Sequence, residues 1–283
     1  MNLNINWYPG HMKKTSDSIR ENLKKVDLAF ELVDARAPRA TENPLLKELL
    51  RDKKRILIFN KADLADPETN KKWLAYYREK GIPAVELNSN TGKGIPELMK
   101  EVHKTMEEKR ARDLERGIIS KQVRAMIIGV PNVGKSTLIN SLAKKKSTKT
   151  GNTPGVTRTN QWIKVGEELL LLDTPGVLWP KFESEELALH LAYIGSIKDE
   201  VLPKEDVALK LVEHLSDSYP DLLEERFKIK IQGRPLETME EIARKRGAIM
   251  RGNEIDYTRV TDIILDEFRK AAIGRISLEE PNV

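Results

Sequence analysis

The sequence predicts an α/β fold, a doubly wound and mostly parallel sheet within residues 1–178, followed by a smaller all-α domain over 179–283. Three observations predict it. Short apolar runs of strand length alternate with helical periodicity as far as Asp173. These runs feed into polar clusters, as expected where parallel strands present their carboxyl ends to a ligand cleft. Beyond Leu178 the strand signal fades and helical patterns alone continue.

In chain order, Trp7-Tyr8-Pro9-Gly10-His11-Met12 reads as a turn ahead of a helix from Lys13 to Lys25. Lys13, Lys14, Arg20, Lys24 and Lys25 make that helix basic outside its Met12, Ile19 and Leu23 side. Strands follow at Val26–Val33 and Arg55–Phe59, with a short helix at Pro44–Leu50 between them. Asp66-Pro67-Glu68 combines an N-cap, a proline at the first helical position and a first-turn acid, so a helix starts there. Ala84–Leu87 is a third strand, Pro96–Arg112 a long charged helix and Gln122–Ile128 a fourth strand. The helix after it is marked by Leu138, Ile139, Leu142 and Ala143. Lys144–Thr159 shows no periodicity. Gln161–Val165 and Glu168–Leu172 frame a turn at Gly166. In the second domain, helices are expected around Leu187, Leu191 and Ile194, around Ala208, Leu211, Val212 and Leu215, and around Val260, Ile263, Ile264 and Phe268. Another opens with a capping box at Thr238-Met239-Glu240-Glu241 and stops at Gly247. Arg244, Lys245, Arg246, Arg251, Arg259, Arg269, Lys270 and Arg275 mark this domain as basic and as a candidate RNA-binding surface, with scattered surface charge as the competing account.

The 283 residues are 39% hydrophobic and 33% charged, the composition of a water-soluble globular protein with a sizeable core. No apolar run is long enough to span a membrane, and the N-terminus lacks the pattern of a signal peptide. The absence of cysteine excludes disulfide-linked partners and thiolate chemistry and suits a cytoplasmic setting. A net charge of +5 with a pI near 9.1 points modestly to a polyanionic partner. No dimer seam is visible, so a monomer is expected.

Gly129-Val130-Pro131-Asn132-Val133-Gly134-Lys135-Ser136, followed by Thr137, carries the chemistry. Strand, glycine loop and helix together aim backbone N–H groups at one anion. Lys135 would reach terminal phosphates and the Ser136 hydroxyl would ligate Mg²⁺. In Asn60-Lys61-Ala62-Asp63 a carboxylate can accept from guanine's ring N–H and its exocyclic amine, which adenine cannot match, so GTP and GDP are the expected ligands. Asp173-x-x-Gly176 supplies a carboxylate that holds the metal through water and an amide that senses the last phosphate. A threonine from Thr153-Pro154-Gly155-Val156-Thr157 should close over Mg²⁺, with Thr157 favoured over Thr153.

Taken together, these motifs resemble the circularly permuted GTPases, specifically the ribosome biogenesis GTPase A group, also called YlqF-type. In Ras-like GTPases the phosphate loop comes first; here Asn60–Asp63 and the base loop Asn88-Ser89 precede Gly129–Thr137, Thr157 and Asp173–Gly176. Pro9-Gly10-His11-Met12, Asp34-Ala35-Arg36-Ala37-Pro38 and the trailing helices are similar to this group as well. The resemblance implies a GTP hydrolase that acts as a switch in assembly of the large ribosomal subunit and on ribosomal RNA, slow alone and stimulated by that partner. It also implies that His11 stands in for the water-orienting glutamine, whose usual place after Asp-x-x-Gly is taken by Val177, and that Asn132 holds K⁺. Because Asp173–Gly176 runs straight into the helical domain, γ-phosphate binding should fix that domain's orientation. The alternatives are a GTPase acting on tRNA or at a membrane surface, and a GTP-dependent RNA chaperone for which hydrolysis is incidental.

Overall fold

Six strands form one sheet in the order β3-β2-β1-β4-β6-β5. The computed structural model describes residues 17–118, 122–146, 162–174, 176, 178, 184–231 and 233–281. The strands are β1 (Leu28–Asp34), β2 (Arg55–Asn60), β3 (Ala84–Leu87), β4 (Val123–Gly129), β5 (Trp162–Val165) and β6 (Leu169–Asp173). All neighbours pair in parallel except β5 and β6, an antiparallel hairpin across Gly166. The expected α/β class and mostly parallel sheet are therefore observed. Several strands extend one residue beyond their apolar run, so that Asp34, Asn60, Gly129 and Asp173 each close one.

The chain builds outward from β1 to β3, then returns to place β4 and β6 on the other side of β1. The β1/β4 seam is thus a topological switch point, where a crevice opens beyond the strand ends. Every residue of β1 is buried, as suits a central strand. On the face taken by Ala29 and Val33, residues 17–23 (α1) and α3 (Pro44–Leu49) bring Ile19, Leu23 and Leu46 against Ala29, Met126, Ile128 and Leu172. On the same face α4 (Pro67–Glu79) packs Trp73 and Tyr77 against Val33, Leu57 and Phe59. Asp66 caps α4 as expected, its carboxylate accepting from Thr69 N at 2.7 Å. The alternate residues Leu28, Phe30 and Leu32 are equally buried, and α5 (Ile95–Glu115) and α6 (Lys135–Lys146) bury Leu98, Val102, Leu138 and Leu142.

Glu31 is a charged side chain on this packed sheet. Arg55 donates to its Oε2 at 2.7 Å, yet Oε1 has no partner and burial pushes the carboxyl up to about 7. The ion pair alone would lower that value; desolvation prevails because one oxygen is buried unpaired. Folding therefore takes up a proton between pH 4.5 and 7, and stability falls as pH rises through that window. Glu31→Gln should leave the melting temperature unchanged near pH 5 and raise stability by roughly 1–3 kcal/mol at pH 8. Arg55 keeps Glu42 as a counter-ion at 3.6 Å. Melting curves of both proteins across pH 5–8 check the expectation.

The chain divides into two compact units, one within Asn6–Phe182 together with Glu279–Val283, the other within Glu183–Leu278. The last residues therefore return to the first unit, whereas the sequence assigned all of 179–283 to the second. The Glu279 carboxylate accepts from the backbone N–H of Arg39 at 2.6 Å and Ala40 at 3.0 Å, at the start of α2 (Pro38–Thr41). Trp73 Nε1 donates to Glu279 O, and Lys72 pairs with Glu280. Hydrogen bonds to a carboxylate are each worth about 1.5–3 kcal/mol, which accounts for the tail's placement.

The second unit is built around α8 (Lys204–Ser218), with α7 (Glu185–Tyr193), α9 (Pro220–Phe227), α10 (Pro235–Arg246) and α11 (Tyr257–Arg269). Leu191, Leu211, Leu215, Ile242, Ile264 and Phe268 form its apolar interior. Two readings of this unit are corrected. Thr238 opens no capping box: α10 begins three residues earlier with Pro235 at its first position, and Thr238 is fully buried. Proline's fixed φ and missing N–H suit that first position, so it outcompetes the later cap. The unit is also not basic, since residues 183–278 carry 15 Lys and Arg against 20 Asp and Glu. Several of the clustered cations are already engaged within the unit. Arg269 grips Asp199 and the carbonyls of Ala192 and Tyr193, while Arg246 pairs with Glu267 over the Phe227 ring. Arg259 donates to Gly247 O, and Lys270 pairs with Asp266.

Candidate functional site

The strand ends at the switch point bring the separate motifs together. Asn60 ends β2 and is 1% exposed. Its Nδ2 donates to Val133 O in the phosphate loop at 2.8 Å. Its Oδ1 accepts from Ser89 N at 3.1 Å and Ser89 Oγ at 2.7 Å. One amide thus ties the phosphate loop and the base loop to the sheet. Asn88 serves its own turn, with Oδ1 accepting from the N–H of Asn90 and Thr91. Lys61 and Ala62 are half-buried and Asp63 is exposed, free to present its carboxylate to a base.

In the phosphate loop Val133 is buried, while Asn132, Ser136 and Thr137 are exposed. Asn132 takes the left-handed backbone, φ +58, and Gly134 has φ +103. A Cβ on Gly134 would lie 2.2 Å from Asn60 Nδ2, so this position admits no side chain while Asn60 keeps its bonds. Lys135 is buried, its ammonium donating to the carbonyls of Gly129 at 3.1 Å and Val130 at 2.9 Å. Burial lowers its pKa to about 8, with Asp173 opposing the shift. Those carbonyls hold the lysine over the loop, ready to exchange weak partners for phosphate oxygens.

Asp173 closes β6, 7% exposed and in register with Ile127 of β4. Gly176 belongs to the same corner, since a Cβ there would stand 2.8 Å from Pro131 N and 2.9 Å from Lys135 Nζ. A hydroxyl at Ser136 is an oxygen donor of the kind Mg²⁺ takes directly, and the Asp173 carboxylate could hold a water on such an ion, with the remaining positions left to water and phosphate. His11, Thr153 and Thr157 lie outside the described residues. No cluster of three His, Cys, Asp or Glu side chains suited to a metal occurs among the described residues, and none of their helices is long and apolar enough to cross a membrane.

The sequence reading placed Asp34-Ala35-Arg36-Ala37-Pro38 at a strand end but gave Asp34 and Arg36 no role in this corner. Asp34 is fully buried, and it accepts from Arg36 Nε and Nη2, each at 2.9 Å, and pairs with Lys61 Nζ at 2.9 Å. Burial alone would raise its pKa, but the Arg36 and Lys61 cations hold the carboxyl well below the usual range. A charged residue closing a buried strand was the signal available for it.

The family model described as RsgA GTPase matches residues 13–183, and that of the 50S ribosome-binding GTPases matches residues 124–245. The ribosome biogenesis GTPase A of Bacillus licheniformis is 43% identical over 278 residues, 98% of each chain. The enzyme of that name from Thermotoga maritima is 32% identical over 277 residues, 98% of this chain and 95% of its own. The solved structure of GNP-bound YlqF from T. maritima superposes with a TM-score of 0.67 at 27% identity, over 95% of this chain and 99% of that one. A model match over more than half of the chain and near-full-length identity above 30% agree with the nucleotide motifs: the chain belongs to the ribosome biogenesis GTPase A family and is a GTP hydrolase.

Proposed function

We propose that this GTPase is a switch in late assembly of the large ribosomal subunit, engaging ribosomal RNA in its GTP state and leaving after hydrolysis. The observation that carries the reading is Asn60, whose amide ties a phosphate loop and a base loop into one cleft. Asp63 reads the guanine edge, with Lys61, Ala62, Asn88 and Ser89 framing the base. Backbone N–H groups from Asn132 to Thr137 cradle the phosphates and Lys135 neutralises charge on the transferred group. Mg²⁺ would be held by Ser136, by Thr157 and, through water, by Asp173, with Gly176 reporting the γ-phosphate. K⁺ at Asn132 would supply the charge that an arginine finger gives elsewhere. Val177 has no group to orient water, so that role falls to His11, brought into place by the ribosomal partner. A basic first unit supports an RNA partner: outside residues 183–278 the chain carries 34 Lys and Arg against 24 Asp and Glu. The reading is of a cytoplasmic monomer. GTP turnover in potassium buffer, measured with large subunits, small subunits and tRNA, tests it; stimulation by large subunits alone is the expected result.

A further inference from the structure

Lys61 has an unusual hold. Its backbone is in the left-handed region, φ +56, which costs a residue with a Cβ about 1–2 kcal/mol. A conformation of this kind persists only where surrounding bonds over-determine it. On one side is Asn60, fixed by the phosphate and base loops. On the other, Asp34 stands in register with Asn60 on the neighbouring strand and takes the Lys61 ammonium at 2.9 Å.

The charge balance shows what this bond does. Arg36 already meets Asp34 with a two-pronged pair, and its own backbone N–H adds a bond at 3.1 Å. The carboxylate therefore has a full counter-ion without Lys61. Of the three side chains, Asp34 is 0% exposed and Arg36 2%, whereas Lys61 is 24% exposed and stands two positions before the exposed Asp63. A lysine stem stretched between a buried anchor and the cleft is a rigid apolar wall, having given up the rotamer freedom of a surface lysine.

We infer that Asp34 is a positioning residue for guanine nucleotide: through its bond to Lys61 it fixes the lysine stem as one wall of the base pocket. The inference rests on the reading that Asn60–Asp63 hold the guanine base. Asp34 touches no ligand itself; it acts by removing, before binding, the disorder Lys61 would otherwise lose on binding. Its effect falls on the lifetime of the bound nucleotide.

The test is a double-mutant cycle read by the dissociation rate of fluorescent GDP from the full-length protein. Asp34→Asn alone removes the carboxylate that pairs with the buried Arg36 and is at risk of unfolding. The charge-balanced D34N/R36M variant removes one buried charge of each sign and frees Lys61, while R36M alone leaves Lys61 as the counter-ion of Asp34. The expected result is roughly tenfold faster GDP release from D34N/R36M and from K61M, near-normal release from R36M, and no further loss when K61M is added to D34N/R36M. Lys61→Arg should restore most of the lifetime, since a guanidinium also reaches a carboxylate. Additive losses, or release from D34N/R36M equal to wild type, would overturn the assignment to Asp34. Failure of the wild-type protein to bind GDP would overturn the underlying reading of Asn60–Asp63, and the assignment with it.

Discussion

Gly134→Ala is expected to abolish nucleotide binding at micromolar concentrations while leaving the protein folded. The added methyl would stand 2.2 Å from Asn60 Nδ2 on a backbone already at φ +103. Asn60 cannot yield cheaply, because its amide is buried and holds Val133 O, Ser89 N and Ser89 Oγ. Either the phosphate loop moves outward or those bonds break, and both outcomes misalign the N–H groups that must converge on phosphate. Leaving a buried amide unpaired costs about 1–3 kcal/mol, and the lost loop geometry adds to it. At least a hundredfold weaker GDP binding by titration calorimetry, with a melting temperature within a few degrees of wild type, is the expected pair of readings.

Asp63→Asn should change which base is accepted. The carboxylate is exposed at the cleft and offers two acceptor oxygens to guanine's adjacent donors. An asparagine places a donor where one acceptor stood, so guanine meets a donor facing a donor. Xanthine, which carries a carbonyl in place of the exocyclic amine, satisfies that amide. Sites of this kind discriminate by factors of about 10⁴ when their polar groups are left unmatched. GDP affinity should fall by about a thousandfold or more and xanthosine diphosphate affinity should rise, in competition against labelled nucleotide. Equal losses for both nucleotides would place the base elsewhere.

The sheet was legible because four of its strands, β1, β2, β4 and β6, are largely apolar runs that end at a residue with chemistry. Asn60, Gly129 and Asp173 could be placed at carboxyl ends before any topology was known, whereas the pairing of β4 with β1 came only from the structure. Other features depend on contacts remote in sequence. Glu279 returns to Arg39 and Ala40 across some 240 positions, and no local pattern marks a glutamate that caps a distant helix. Arg246 and Arg269 looked like a nucleic-acid footprint because charge counts alone do not show that Glu267, Asp199 and two carbonyls already consume them. The Thr238 pattern was a valid capping signal defeated by Pro235, a stronger start three residues earlier. Helix α9 went unread: Pro220 marks its start, but its eight residues show only Leu223 and Phe227 as buried positions, too few for periodicity. Asp34 was visible as a residue, but its partner Lys61 is brought to it only by the parallel register of β1 with β2.

The central claim, a GTP switch read by the large ribosomal subunit, is tested most directly by steady-state GTP turnover in potassium buffer. The protein would be assayed alone, with purified large subunits, and with small subunits or tRNA at matched RNA concentration. Stimulation of at least tenfold by large subunits only, lost in His11→Ala while GDP affinity is kept, is the predicted result. Turnover that is the same with all three RNA-containing partners would contradict it.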